Sequence, residues 1–131
     1  MESKKQVAAE RKRSGKYNCA QAITSTYCSM CKTDETTALN VGNAFAGGMG
    51  NMEGTCGALI GVGIVLGLIN KDPIQTSKDM RYVMQKFHEK NQATQCKILK
   101  GKTTGKVLRE CPDCVADAAE LLEEILAKKQ S

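Results

Sequence analysis

Residues 56–69 read Cys56-Gly-Ala-Leu-Ile-Gly-Val-Gly-Ile-Val-Leu-Gly-Leu-Ile69, and this stretch decides the fold. From Gly57 to Ile69 no side chain is polar. A strand in a sheet core can be equally apolar, but this run is long for a strand and far too rich in glycine. Wound as a helix it is apolar on every side, which predicts a central helix buried among others. Glycines 57, 61, 63 and 67 are places where neighbouring helices can approach closely. The run falls short of the roughly 20 apolar residues that span a bilayer, so no membrane insertion is expected. No basic start followed by an apolar run marks a signal peptide.

Outward from that helix the rest reads the same way. Downstream, Asp72-Pro73 is a helix start, with Asp72 as cap and Pro73 at the first helical position. The helix it opens carries Ile74, Met80, Val83, Met84 and Phe87 inward and ends near Asn91. The pattern weakens from Gln92 to Glu110, a basic loop punctuated by Gly101 and Gly105. A last helix opens at Pro112-Asp113 and repeats Val115, Ala118, Ala119, Leu122, Ile125 and Leu126, with Glu120, Glu123 and Glu124 facing water. Upstream, Gly47-Gly-Met-Gly50 is a loop, preceded by a helix capped at Thr33-Asp34. Before that, a helix over Tyr17–Cys31 presents Cys19, Ala20, Ile23, Thr24, Tyr27 and Met30 at three- and four-residue steps. Five aromatic residues in 131, no Trp and two Pro suit close-packed helices rather than a β-sandwich. The expectation is one all-α domain over residues 1–131, a compact bundle of about five helices around the glycine-rich one.

Nineteen basic against fourteen acidic residues give a net charge of +5, which favours solubility and acidic partners. The basic residues cluster over positions 1–16. That segment reads as a solvated helix or arm, because no aromatics interleave its charges as single-stranded nucleic-acid binding requires. No nucleic-acid partner is expected.

The seven cysteines carry the chemistry, at 19, 28, 31, 56, 96, 111 and 114. Their odd number excludes complete internal pairing. In a chain that reads as cytosolic, clustered cysteines point to metal or redox work. Two Cys-x-x-Cys pairs stand out. Cys111 and Cys114 open a helix, where free backbone N–H groups lower a thiol's pKa; Cys56 starts the central helix and shares that advantage. Cys28 and Cys31 lie where a helix ends, which disfavours a thiolate, and they serve equally well as small core residues. A zinc tetrathiolate from both pairs would need the helices to bring them together, since the short spacing of zinc ribbons is absent. His88 has a surface or packing role. Glu53, beside the glycine loop, is a solvated residue, and Met49, Met52, Met80 and Met84 are core filler.

Gly-Lys-Tyr-Asn-Cys-Ala-Gln (15–21), Gly-Gly-Met-Gly (47–50), Thr-Cys-Gly-Ala-Leu-Ile-Gly (55–61), Val-Leu-Gly-Leu (65–68), Cys96-Lys-Ile-Leu and Cys111-Pro-Asp-Cys-Val-Ala-Asp-Ala-Ala follow one another. In that order they resemble the C_GCAxxG_C_C family of redox-active proteins. The resemblance implies four characteristic cysteines, Cys19, Cys56, Cys96 and one of Cys111 or Cys114. Cys28 and Cys31 depart from the pattern.

The resemblance implies a small helical protein with redox-active sulfur; the leading reading of the residues is an electron-transfer or redox-accessory protein whose cysteines 19, 56, 96 and 111 or 114 meet at one site. Four thiolates are what an iron–sulfur cluster requires. Cys19, Cys56, Cys96 and Cys111 or Cys114 are its candidate ligands, and backbone around Gly48, Gly50 and Gly57 is its candidate hydrogen-bond donor. The alternatives are a cluster-free thiol/disulfide protein, with Cys56, Cys111 and Cys114 as redox thiols, and a non-catalytic module holding structural zinc. The expected partner is a redox protein with an acidic surface. The apolar helix at 57–69 offers a homodimer contact.

Overall fold

Polar side chains set three of the helix starts. Asn18, Asp34 and Asp72 each accept a hydrogen bond from a backbone N–H in the first turn of the helix that follows, satisfying donors that have no partner inside the helix. Left-handed residues stop three segments, with φ of 55° at Lys32, 53° at Lys71 and 69° at Gln92. The computed structural model describes residues 2–130; the end positions of the expected domain, Met1 and Ser131, lie outside them. Among the described residues there are seven α-helices and no strand: α1 (Lys5–Arg13), α2 (Cys19–Thr26), α3 (Glu35–Val41), α4 (Gly57–Asn70), α5 (Pro73–Asn91), α6 (Cys96–Leu99) and α7 (Cys111–Gln130). Short 3-10 turns occupy Cys28–Cys31 and Asn43–Phe45. The all-α expectation holds.

Helix α4 packs against α2, α5 and α7, and α1 lies along α7. The core joins Ala58, Leu59, Val62, Val65 and Leu66 of α4 to Ile23 and Tyr27, to Val83 and Phe87, and to Val115, Ala118 and Leu122. Close approach is real at two of the four glycines. A Cβ at Gly57 would lie 2.9 Å from the Phe45 carbonyl oxygen, and one at Gly61 would lie 2.8 Å from Ile23 Cβ and 2.9 Å from the Ala20 oxygen. Gly63 has only ordinary contact with Met80, and Gly67 faces open space. Leu68 is 40% exposed, so the last turn of α4 is not apolar-buried on every side. No helix is long and apolar enough to cross a membrane among the described residues.

Several expectations are corrected. The helix expected over 17–31 spans only Cys19–Thr26, because β-branched Ile23, Thr24 and Thr26 weaken it while fully buried Tyr27 turns into the core. Ile74 is 70% exposed; it sits in the first turn of α5, beyond the edge of α4. Glu123 is half-buried rather than turned fully to water. It accepts hydrogen bonds from the Tyr27 hydroxyl and the Lys4 backbone, tying α7 to the chain before α1. Of the two readings of the basic N-terminal segment, a solvated helix face or a frayed arm, α1 is the helix, with Ala8 and Ala9 buried on its inner side. The final helix begins at Cys111, one residue ahead of Pro112.

Candidate functional site

Four cysteines stand where helices begin. Cys19 is the first residue of α2, Cys96 of α6 and Cys111 of α7, while Cys56 is the residue that precedes α4. Local bonds fix each in place. Before Cys19, Asn18 and Gln21 cap each other's backbone reciprocally, and the Gln21 amide also donates to the Leu39 carbonyl. Between residues 54–56 and 94–96 runs a fragment of antiparallel ladder. The Cys56 N–H donates to the Thr94 oxygen at 2.8 Å, and the Cys96 N–H to the Gly54 oxygen at 3.0 Å. The N–H groups of Leu108 and Arg109 both reach the Leu99 oxygen, which folds the basic loop back ahead of Cys111.

These constraints bring five sulfurs to one cavity of about 20 Å³. It is lined by Cys19, Cys56, Cys96, Cys111 and Cys114 with Gly47, Gly48, Gly57, Leu99, Lys12, Lys100 and Arg109. Of the glycines named from sequence, Gly48 and Gly57 line it and Gly50 does not. Gly48 is indispensable to the shape: its φ is +58°, and a Cβ there would meet Cys96 Cβ at 2.5 Å. Cys28, Cys31, His88 and Glu53 lie elsewhere. Glu53 forms an exposed ion pair with Lys97 at 3.2 Å.

The thiols influence one another pairwise, Cys19 with Cys111 and Cys56 with Cys114. Within each pair one sulfur is favoured as thiolate. The Cys19 thiol, aided by the nearby Lys100 and Lys12 charges, outweighs burial and pulls Cys111 down to about 6. Cys19 correspondingly moves up, held protonated by Cys111 and by burial. Cys56 is lowered, first by Cys114 and then by the Ala58 and Leu59 N–H groups at the start of α4, against the cost of burial. Cys114 is raised by Cys56 and by burial, and its thiol lies 3.7 Å from the Arg109 oxygen. Cys96 is raised by burial. The N-termini of α2, α4 and α7, each a site of partial positive charge, thus surround the sulfurs together with three cationic side chains. Cys56 is only 5% exposed, so Cys111 is the thiolate that solvent reaches.

The cationic residues escaped the sequence reading. Lys12 comes from the segment expected to be a solvated helix face or arm. Lys100 and Arg109 come from the stretch whose pattern is weakest. Arg109 is held by Asp117, to which it donates from Nε at 3.0 Å and from a terminal nitrogen at 3.2 Å. Lys90 and Asn91 also donate to Asp117, which is 4% exposed. Burial alone would raise this carboxyl, yet the bonds from Arg109, Lys90 and Asn91 hold it below the ordinary range. A carboxylate among the alanines of the inward face of α7 was the available signal.

The donor set suits an iron–sulfur cluster or zinc in chemistry, being all sulfur with no carboxylate or imidazole on the wall. The arrangement does not fit one. The cavity volume is that of about one water molecule, and among the described residues no group of three or more His, Cys, Asp or Glu side chains is placed to hold a metal ion.

A family model described as "Putative redox-active protein (C_GCAxxG_C_C)" matches residues 17–125. No curated protein and no solved structure matches the chain.

Proposed function

Because the chain belongs to the C_GCAxxG_C_C family of redox-active proteins, we propose that it works as a dithiol/disulfide redox protein through Cys19–Cys111 and Cys56–Cys114. One observation carries this reading: Cys19, Cys56, Cys111 and Cys114 line one cavity, where Cys111 and Cys56 are favoured as thiolates and Cys19 and Cys114 as thiols. In the reducing direction, the Cys111 thiolate attacks one sulfur of a substrate disulfide. A mixed disulfide forms and the first thiolate leaves. Cys19 then loses its proton and attacks Cys111 Sγ, closing Cys19–Cys111 and releasing the second thiol. Two protein thiols are oxidised and one disulfide is reduced to two thiols. Cys56 and Cys114, deeper in the wall, hold a second pair of reducing equivalents.

Access is from a surface depression of about 290 Å³ lined by Lys100, Lys102, Val107, Arg109, Glu110 and Cys111. Its cations outnumber its one carboxylate, which supports an acidic partner. A reducing compartment such as the cytoplasm would keep the thiols ready for turnover.

A second reading, electron transfer through an iron–sulfur cluster, is favoured by the five-sulfur wall, and would require both pairs to separate. Metal and sulfide analysis with a visible spectrum of anaerobically purified protein tests the two. The dithiol reading expects no stoichiometric iron, sulfide or zinc, and four thiols of the cavity lost on mild oxidation. Iron with acid-labile sulfide would overturn it in favour of the cluster, and one zinc per chain would overturn it in favour of a structural site.

A further inference from the structure

We propose that Cys28 and Cys31 form a second, reversible dithiol/disulfide couple, apart from the cavity and exchanging with low-molecular-weight disulfides. Neither residue lines the cavity. They are the first and last residues of the 3-10 turn Cys28–Cys31, and that conformation matters. With three residues per turn and a rise of about 2.0 Å, residues i and i+3 eclipse, with Cα atoms about 6 Å apart. A disulfide needs Cα atoms roughly 4.4–6.8 Å apart with the Cβ atoms directed together. In an α-helix the same pair would be rotated about 60° around the axis. The turn is also locked: Lys32 follows in the left-handed region, its N–H bonded back to the Cys28 and Ser29 oxygens, and the Thr33 N–H reaches the Cys28 oxygen at 3.0 Å.

The sulfurs are free to react. Both residues are half-buried rather than sealed in the core. Their thiols donate only to backbone carbonyls, Cys28 to Ser25 at 3.2 Å, Cys31 to Tyr27 at 3.4 Å and Val65 at 3.9 Å. Burial, and then the neighbouring Cys28, push the Cys31 thiol up to about 11, which suits Cys31 to the second, intramolecular attack and leaves the first to Cys28. Its thiolate takes one sulfur of a disulfide R–S–S–R and expels RS⁻. Cys31 then releases its proton, attacks Cys28 Sγ and expels the second RS⁻. Two thiols are oxidised, and R–S–S–R is reduced to two R–SH. Excess R–SH runs the step backward.

The test equilibrates the native chain in mixtures of reduced and oxidised glutathione, quenches with acid, alkylates and maps peptides by mass spectrometry. Cleavage after Lys16 and Lys32 isolates residues 17–32, which also carry Cys19, so a Cys28–Cys31 link is read inside this peptide both when it is recovered alone and when it is joined through Cys19 to the Cys111 peptide. The expected result is a Cys28–Cys31 link whose ratio to the dithiol form varies as oxidised glutathione divided by the square of reduced glutathione. In Cys31→Ser the link is replaced by a glutathione adduct on Cys28. Separate adducts on Cys28 and Cys31 in the wild-type chain, each following the simple ratio, would overturn the proposal. So would both thiols remaining alkylatable in oxidised glutathione alone, or Cys28 linking to Cys19 instead.

Discussion

Replacing Lys100 by Met tests the electrostatics of the cavity without touching a sulfur. Lys100 is half-buried on the cavity wall beside Cys111, and its charge helps lower that thiol. An opposite charge at such range shifts a titrating group by about 1–3 units. Cys19 contributes more than Lys100 to the lowering of Cys111, and Lys12 remains; the site is also partly open. The small end of that range therefore applies, and Cys111 moves from about 6 to about 7. At pH 6 its thiolate fraction falls from about one half to about one tenth, so alkylation there slows about fivefold. At pH 9 it is unchanged. The same shift has a stability consequence with a fixed sign. A depressed thiol stabilises the fold fully above its ordinary value near 9, and that contribution disappears as pH falls through about 6. Lys100→Met therefore destabilises at pH 8 and much less at pH 5. The assay is a pH–rate profile of iodoacetamide labelling read at Cys111 by mass spectrometry. Identical midpoints in the two proteins, or a wild-type midpoint near that of a free thiol, would refute the reasoning.

In timed alkylation of reduced, metal-stripped protein at pH 7, Cys111 should label ahead of Cys28, and buried Cys56 should lag behind its own thiolate character; Cys28 leading would contradict the helix-terminus argument. Gly48→Ala should cost about 1–3 kcal/mol in thermal unfolding, because it puts a side chain at φ +58° against Cys96. Gly67→Ala, in open space inside α4, should instead stabilise by about 1 kcal/mol. Asp117→Asn leaves Arg109 and Lys90 without their carboxylate, so chemical denaturation should show a loss of about 1–3 kcal/mol at pH 7. The Asp117 carboxyl is depressed, so its stabilisation is present at neutral pH and lost only as pH falls below the usual carboxylate range; the wild type and variant should converge in acid.

The fold was legible where sequence and environment agree. The Asp72-Pro73 start and the Asn91 end of α5 follow from capping and breaker chemistry alone, as does the Asp34 cap. The meeting of cysteines was legible through the order of short motifs, but not through spacing: Cys19, Cys56, Cys96 and Cys111 stand far apart in sequence, and only helix packing makes them neighbours. What stayed hidden has the same physical origin. Lys12, Lys100 and Arg109 sit in segments without periodicity, and their place on the wall depends on α1 lying along α7 and on the loop returning to Leu99. Tyr27 ended a helix early because burial in the core outweighed the local pattern. That early end wound Cys28 and Cys31 into a 3-10 turn, which no period in the sequence announced.

The pairing itself is the quantity to measure. The native chain, oxidised by a limiting amount of small disulfide and blocked at low pH, is digested without reduction and its cross-linked peptides are sequenced; a cut ahead of Asp113 separates Cys111 from Cys114. The cavity geometry predicts links between Cys19 and Cys111 and between Cys56 and Cys114, with Cys96 recovered as a free thiol. A link between Cys111 and Cys114, or Cys96 consumed in place of Cys19 or Cys56, would contradict it.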